Sequence, residues 1–226
     1  MNEFVYIHRG YEKDTANHSN PLKKIQTGDK NKVVSHIKEL HSKENLSTRE
    51  QELLTILQAI LLVSENDYEE AKEKSSIIWE RLKEHDTWYL YDIDLINNIL
   101  YIFPVEIAES IVDMAVNRLE AYKNMRSVNP LIANLRLNLV LLQINSKEFK
   151  RALVNVEELI AFCIQRNYHT RLAVCYARKG IILEHLKQGE PAKWYEKGFK
   201  FLEFTDNTRL IEELQNEIDY ATNADL

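Results

Sequence analysis

Apolar residues recur at the 3.6-residue period of an α-helix along almost the whole chain, and only five glycines and four prolines interrupt 226 residues. A chain so poor in turn-forming residues, with no run of alternating apolar and polar residues, can bury its apolar stripes only by packing helix on helix. The reading is therefore all-α, with helices near residues 3–15, 20–43, 48–63, 67–85, 88–102, 104–125, 129–144, 147–166, 168–187, 190–204 and 206–221.

Capping chemistry punctuates these helices. Ser47 with Glu50, Asn66 with Glu69, and Asn145 with Glu148 each place a side-chain acceptor three residues before a carboxylate, the spacing of a capping box. Pro104 and Pro191 suit a first helical turn, where no backbone donor is missed. The signals divide the chain into helical hairpins whose first helices begin near 48, 88, 129 and 168, a period of about forty residues. In the second helices, Tyr68 with Ala71 and Phe149 with Ala152 set a large side chain beside a small one, as tetratricopeptide-type repeats do. Stacked hairpins of this kind make a right-handed superhelical solenoid whose first helices line a concave face. The expected organisation is a linker over 1–19, one tetratricopeptide-like helical-repeat domain over 20–205, and a capping or dimerising helix over 206–226. That last helix carries Leu210, Ile211, Leu214, Ile218 and Tyr220 on its apolar stripe.

One polar residue recurs at the same place in four successive apolar first helices: Gln58, Asn98, Asn138 and Arg178, each forty residues from the next. Neighbouring positions align too, with Tyr91, Leu131 and Arg171 in one row and Asp94, Asn134 and Val174 in another. Offsets of three or four put these on the same helix face. The stripe Tyr91, Asp94, Asn98, Asn134, Asn138, Arg171 and Arg178 thus forms a candidate peptide groove, since asparagines can meet backbone amides and carbonyls in both directions. A buried amide or guanidinium without a partner costs about 1–3 kcal/mol, so the alternative is that the amides bond between helices and Arg178 pairs with Asp94 or a nearby glutamate. Trp79, Trp88 and Trp194 read as packing residues.

Other chemistry is missing from the sequence. Twenty-nine basic against thirty-five acidic residues give a net charge of −6, which provides no electrostatic footprint for nucleic acid. There is no phosphate-binding glycine loop, HExxH, GxSxG or calcium loop. The histidines lack ligand spacing, and the carboxylate runs read as solvated helix faces. No enzyme, metal or cofactor is expected. Cys163 and Cys175 read as buried free thiols, with a redox role or an intermolecular disulfide as the sharper alternative. The longest apolar run, residues 59–63, is too short to cross a bilayer, and the N-terminal residues do not resemble a signal peptide. The cytoplasm is the expected compartment.

Four segments carry a family resemblance: EFVYIHRGYEKD, WYLYDIDLINN from Trp88, LRLNLVLLQINSKEFKRALVNVEELI, and KQGEPAKWYEKGFKFL. Together they resemble the C-terminal regulatory domain of the Rgg (also MutR or GadR) transcription regulators of Gram-positive bacteria, within the wider group of cytoplasmic quorum-sensing receptors. The resemblance implies a homodimer that binds a short hydrophobic signalling peptide in its concave face, and it maps the asparagine-bearing helix onto Asn134 and Asn138. It also implies that DNA is contacted only through a helix-turn-helix domain whose end, at the Glu3–Phe4 segment, falls with the linker in residues 1–19. A scaffold holding another protein's tail, or a small-molecule sensor with a closed pocket, are the alternative readings.

Overall fold

The computed structural model describes residues 30–65, 67–85, 87–122, 125 and 128–223, and among these it contains ten α-helices and no strand. The helices expected near 3–15 and at the start of 20–43, with the 1–19 linker, lie outside the described residues. Packing divides the chain into two units at Asp86/Thr87, where the sequence reading ran one repeat domain across 20–205.

The first unit contains α1 (Lys30–His41), α2 (Thr48–Ser64) and α3 (Tyr68–Lys83), with α2 packed on both others. The expected Ser47–Glu50 capping box is present: the Glu50 amide donates to Ser47 Oγ at 3.4 Å and the Ser47 amide to Glu50 Oε2 at 2.9 Å. The hydrogen bond from Lys43, followed by those from Ser47, holds the Glu50 carboxyl down at about 2. At α3 the cap is Asp67, whose carboxylate accepts from the Glu70 amide. The Asn66 of the expected pair lies outside the described residues. Ala71 is fully buried as expected, but Tyr68, the first residue of α3, is 54% exposed. An ion pair between Glu52 and Arg81 joins α2 to α3.

In the second unit are α4 (Leu90–Ile99, continued by a 3-10 turn over Leu100–Ile102), α5 (Val105–Leu119), α6 (Val128–Asn145), α7 (Phe149–Gln165), α8 (His169–Leu186), α9 (Pro191–Phe204) and α10 (Thr208–Asn223). From α5 onward most consecutive helices pack as hairpin partners, while α4 packs on α6, α6 on α8 and α8 on α10. That is the helical-repeat arrangement expected, with α4, α6 and α8 as first helices. It adds α10 as a fourth member of their row, packed against α8 as α8 is against α6. Pro191 occupies the first turn of α9, whereas Pro104 stands one residue ahead of α5 as its N-cap.

Four inter-helix turns share one geometry. Lys147, Asn167, Lys187 and Asp206 all have left-handed backbones, with φ between 51° and 60°. After each, the next amide reaches back five residues: Glu148 to Gln143, Tyr168 to Cys163, Gln188 to Leu183 and Asn207 to Leu202, at 2.8–3.0 Å. This is the Schellman closure, which satisfies orphan carbonyls at a helix end. Its recurrence every nineteen or twenty residues is the half-period of the repeat in physical form. It also corrects the Asn145–Glu148 pair: Asn145 is the last residue of α6, and Glu148 stands as N-cap of α7 without a side-chain cap bond. Gly198 lets the backbones of α8 and α9 come close: a Cβ there would stand 2.8 Å from the Ala173 carbonyl oxygen.

Candidate functional site

Because α4, α6, α8 and α10 lie side by side, residues at a fixed offset of about forty face one another across the row. Asn138 on α6 donates from Nδ2 to the Asn97 carbonyl oxygen at 3.0 Å and to Asn97 Oδ1 at 3.1 Å. Arg178 on α8 donates from Nη1 to the Leu137 carbonyl oxygen at 2.6 Å. Both side chains reach back forty-one residues to a main-chain carbonyl of the preceding first helix. A helical carbonyl has a second lone pair for such a bond, so each contact fixes the sliding register of one helix on the next without breaking a helical hydrogen bond.

Arg178 is buried, and its remaining face is taken by Glu217 of α10, with Nε to Oε1 at 2.7 Å and Nη2 to Oε2 at 3.0 Å. A forked carboxylate pair plus a carbonyl is the partner set a buried guanidinium needs. The glutamate pairing that the alternative reading expected is present, with Glu217 in place of Asp94.

The other stripe residues are half-buried. Arg171 on α8 donates from Nε to Asn134 Oδ1 on α6 at 2.8 Å. Asn98 donates to the Asp94 carbonyl oxygen of its own helix at 2.7 Å. Tyr91 and Asp94 are each engaged by other groups of the protein. Gln58 belongs to the first unit, where its amide lies 3.5 Å from His41 Nε2. Among the described residues, Asn98 Oδ1, Asn134 Nδ2, Asn138 Oδ1 and the Nη atoms of Arg171 make no hydrogen bond within the protein. The second unit therefore brings Asn98, Asn134, Asn138, Arg171 and Arg178 onto one surface of the first-helix row, each with one end tied into the fold. All but Arg178 keep a polar atom for another partner.

Sequence reasoning missed Asn97 and Glu217. Asn97 is buried and adjacent to Asn98, but the operative offset is forty-one, not forty. Glu217 stands thirty-nine residues after Arg178, within an acidic run read as a solvated face. Also missed was a buried link across three helices: Gln143 of α6 donates to Glu109 of α5 at 2.7 Å and accepts from Asn155 of α7 at 3.0 Å.

Cys163 on α7 and Cys175 on α8 are free and buried. Their mutual hydrogen bond is the largest influence on both, pulling the Cys163 thiol down and pushing Cys175 up. His169 and His185 stack on Phe201 and Phe149 as packing groups. No cluster of three metal-ligating side chains occurs among the described residues, and none of the described helices is long and apolar enough to cross a membrane.

The sequence profile described as the C-terminal domain of the HTH-type transcriptional regulator Rgg matches residues 34–216. Among solved structures the chain is similar in fold to that of RopB, at 14% identity and a TM-score of 0.58, over 98% of this chain and 99% of that one. No curated protein matches it.

Proposed function

This chain belongs to the Rgg C-terminal-domain family of transcription regulators, and from that premise we propose that it is the ligand-sensing and dimerising part of such a regulator. Its ligand on this reading is a short hydrophobic peptide lying along the first-helix row of the second unit. The observation carrying the proposal is the set of half-buried amide atoms on that row, Asn98 Oδ1, Asn134 Nδ2 and Asn138 Oδ1, whose opposite ends are fixed by the fold. An acceptor, a donor and an acceptor held between apolar helix faces complement a peptide backbone, and pre-positioned groups bind without an ordering cost.

The protein works in the cytoplasm as a homodimer, with DNA read by a helix-turn-helix domain. The dimer contact is assigned to the α9–α10 end, where Phe204 is 87% and Tyr220 70% exposed. Binding would shift the population between two arrangements of the repeats, which requires unequal peptide affinity for the two.

The test is fluorescence anisotropy of the chain against a dye-labelled panel of synthetic hydrophobic octapeptides. A subset should bind saturably, and Asn98→Ala, which leaves the inter-helix bonds intact, should weaken that binding about tenfold, the value of one hydrogen bond of ~1.4 kcal/mol. No saturable binding across the panel, or binding indifferent to Asn98→Ala and Asn134→Ala together, would sink the reading.

A further inference from the structure

Three arginines gather where α7 turns into α8. The Arg166 guanidinium lies 3.8 Å from the Phe162 ring centroid and that of Arg136 5.6 Å from it. The Arg171 guanidinium is 5.4 Å from the Tyr168 ring, and the two rings are 6.5 Å apart. All three are half-buried. Among the described residues each meets neutral groups: Arg171 meets Asn134 and Tyr168, Arg166 the Gln165 side chain at 2.8 Å and Phe162, and Arg136 the Phe162 ring.

Among the described residues none of the three pairs with a carboxylate, although acidic residues outnumber basic ones in this chain. Arg81, Arg151, Arg178 and Arg209 all have glutamate partners. Like charges brought together and partly desolvated repel unless an anion joins them. The local potential is felt nearby: after the bond from Cys175, both Arg171 and Arg166 help to draw the Cys163 thiol down.

We propose that Arg136, Arg166 and Arg171, around Phe162 and Tyr168, form a binding site for the carboxylate of an apolar organic ligand. The proposal deepens the peptide-binding reading and rests on it, because Arg171 belongs both to this cluster and, through Asn134, to the polar row. The amides of Asn167 and Tyr168 are spent on the Ile164 and Cys163 carbonyls. What the turn presents is guanidinium forks, which match a planar carboxylate, beside aromatic walls for the apolar body attached to it. The carboxylate is either the ligand's chain end or an acidic side chain.

The experiment uses arginine Nε–Hε NMR signals of the whole chain at constant ionic strength, titrated separately with N-acetyl-leucine, N-acetyl-leucinamide and inorganic phosphate. N-acetyl-leucine should shift the Arg166 and Arg171 signals saturably, the neutral amide should not, and Arg166→Gln with Arg171→Gln should weaken the response at least tenfold. An equal response to the amide, or a stronger one to phosphate, overturns the proposal, and that comparison needs no variant to fold. For any octapeptide that binds, amidating its C-terminus and, separately, replacing its acidic side chains by amides identifies the source. A loss in one arm supports the site, and a loss in neither overturns it. If no octapeptide binds while N-acetyl-leucine still saturates, the carboxylate site stands and the peptide reading falls. Octapeptide binding with no carboxylate response gives the reverse.

Discussion

Removing Glu217 should destabilise the second unit far more than removing an ordinary surface glutamate. The Arg178 side chain is 8% exposed and Glu217 21%. Glu217→Ala would leave a buried guanidinium with the Leu137 carbonyl as its partner on this face. Breaking a fully buried pair from one side costs about 3–5 kcal/mol. Because Glu217 retains a fifth of its exposure, water can partly replace it, and ~2 kcal/mol is the expected loss. In a folded unit of this size that corresponds to a fall in Tm of about 4–8 °C. Replacing both partners by apolar residues, Arg178→Met with Glu217→Leu, should recover most of the loss, since apolar isosteres of a buried pair are often neutral or stabilising. Urea denaturation with Tm measurements on the parent, Glu217→Ala, the single variants Arg178→Met and Glu217→Leu, and the double variant checks this. A Glu217→Ala cost within ~0.5 kcal/mol of zero, typical of an indifferent surface position, would refute the assignment of Arg178 to the framework. So would a double variant as unstable as the sum of its singles, because the coupling between the two charges would then be absent.

Two further outcomes follow from local geometry. Lys187 holds a left-handed backbone, φ 54° and ψ 42°, with an exposed side chain, so Lys187→Gly should raise stability by ~0.5–1 kcal/mol in the same urea assay, and a loss would mean that the side chain matters. The Tyr195 phenol donates to Glu184 at 2.7 Å, and burial followed by that bond pushes its pKa well above the ordinary tyrosine range. Above pH ~10 the unfolded chain releases this proton while the folded one keeps it, so its contribution to stability is intact below that pH and falls as pH rises. Subtracting the Tyr195→Phe alkaline absorbance titration from that of the parent should show Tyr195 ionising after the other tyrosines, and a normal midpoint would contradict the hydrogen bond to Glu184.

Most of the fold was legible because helical periodicity is a local property. The bounds of α2, α7 and α9 fall within two residues of the sequence reading, and the capping box of α2 needed only the Ser47–Glu50 spacing. The Asn145–Glu148 pair misled because the chain closes that turn through the left-handed backbone of Lys147, and lysine gives no such signal where glycine would. Asn138 and Arg178 were found by period. Their partners were not, because helices staggered along a row meet at forty-one, thirty-nine and thirty-seven residues, offsets set by packing that no repeat length encodes. The arginine cluster escaped for the same reason: Arg136, Arg166 and Arg171 come from three helices' ends and middles and share no spacing.

On the proposed reading the recurrent polar residue has two duties, which the geometry separates by atom. Its donor end sets the register between first helices, at Asn138 to Asn97 and at Arg178 to Leu137. A ligand accepted at Asn138 Oδ1 would displace neither bond, so register and recognition are compatible there. At Arg178 they conflict: a ligand reaching that guanidinium must displace Glu217 and with it the hold of α10 on α8. On the proposed reading, affinity is therefore concentrated between α4 and the first half of α8, from Asn98 through Asn134 and Asn138 to Arg171. Arg178 then acts as the fixed end of the groove, and Arg178→Met paired with Glu217→Leu should leave peptide affinity within about twofold of the parent, because the ligand meets neither residue. A tenfold loss in that double variant, measured by the anisotropy assay at a temperature where it is folded, would place Arg178 back among the ligand contacts.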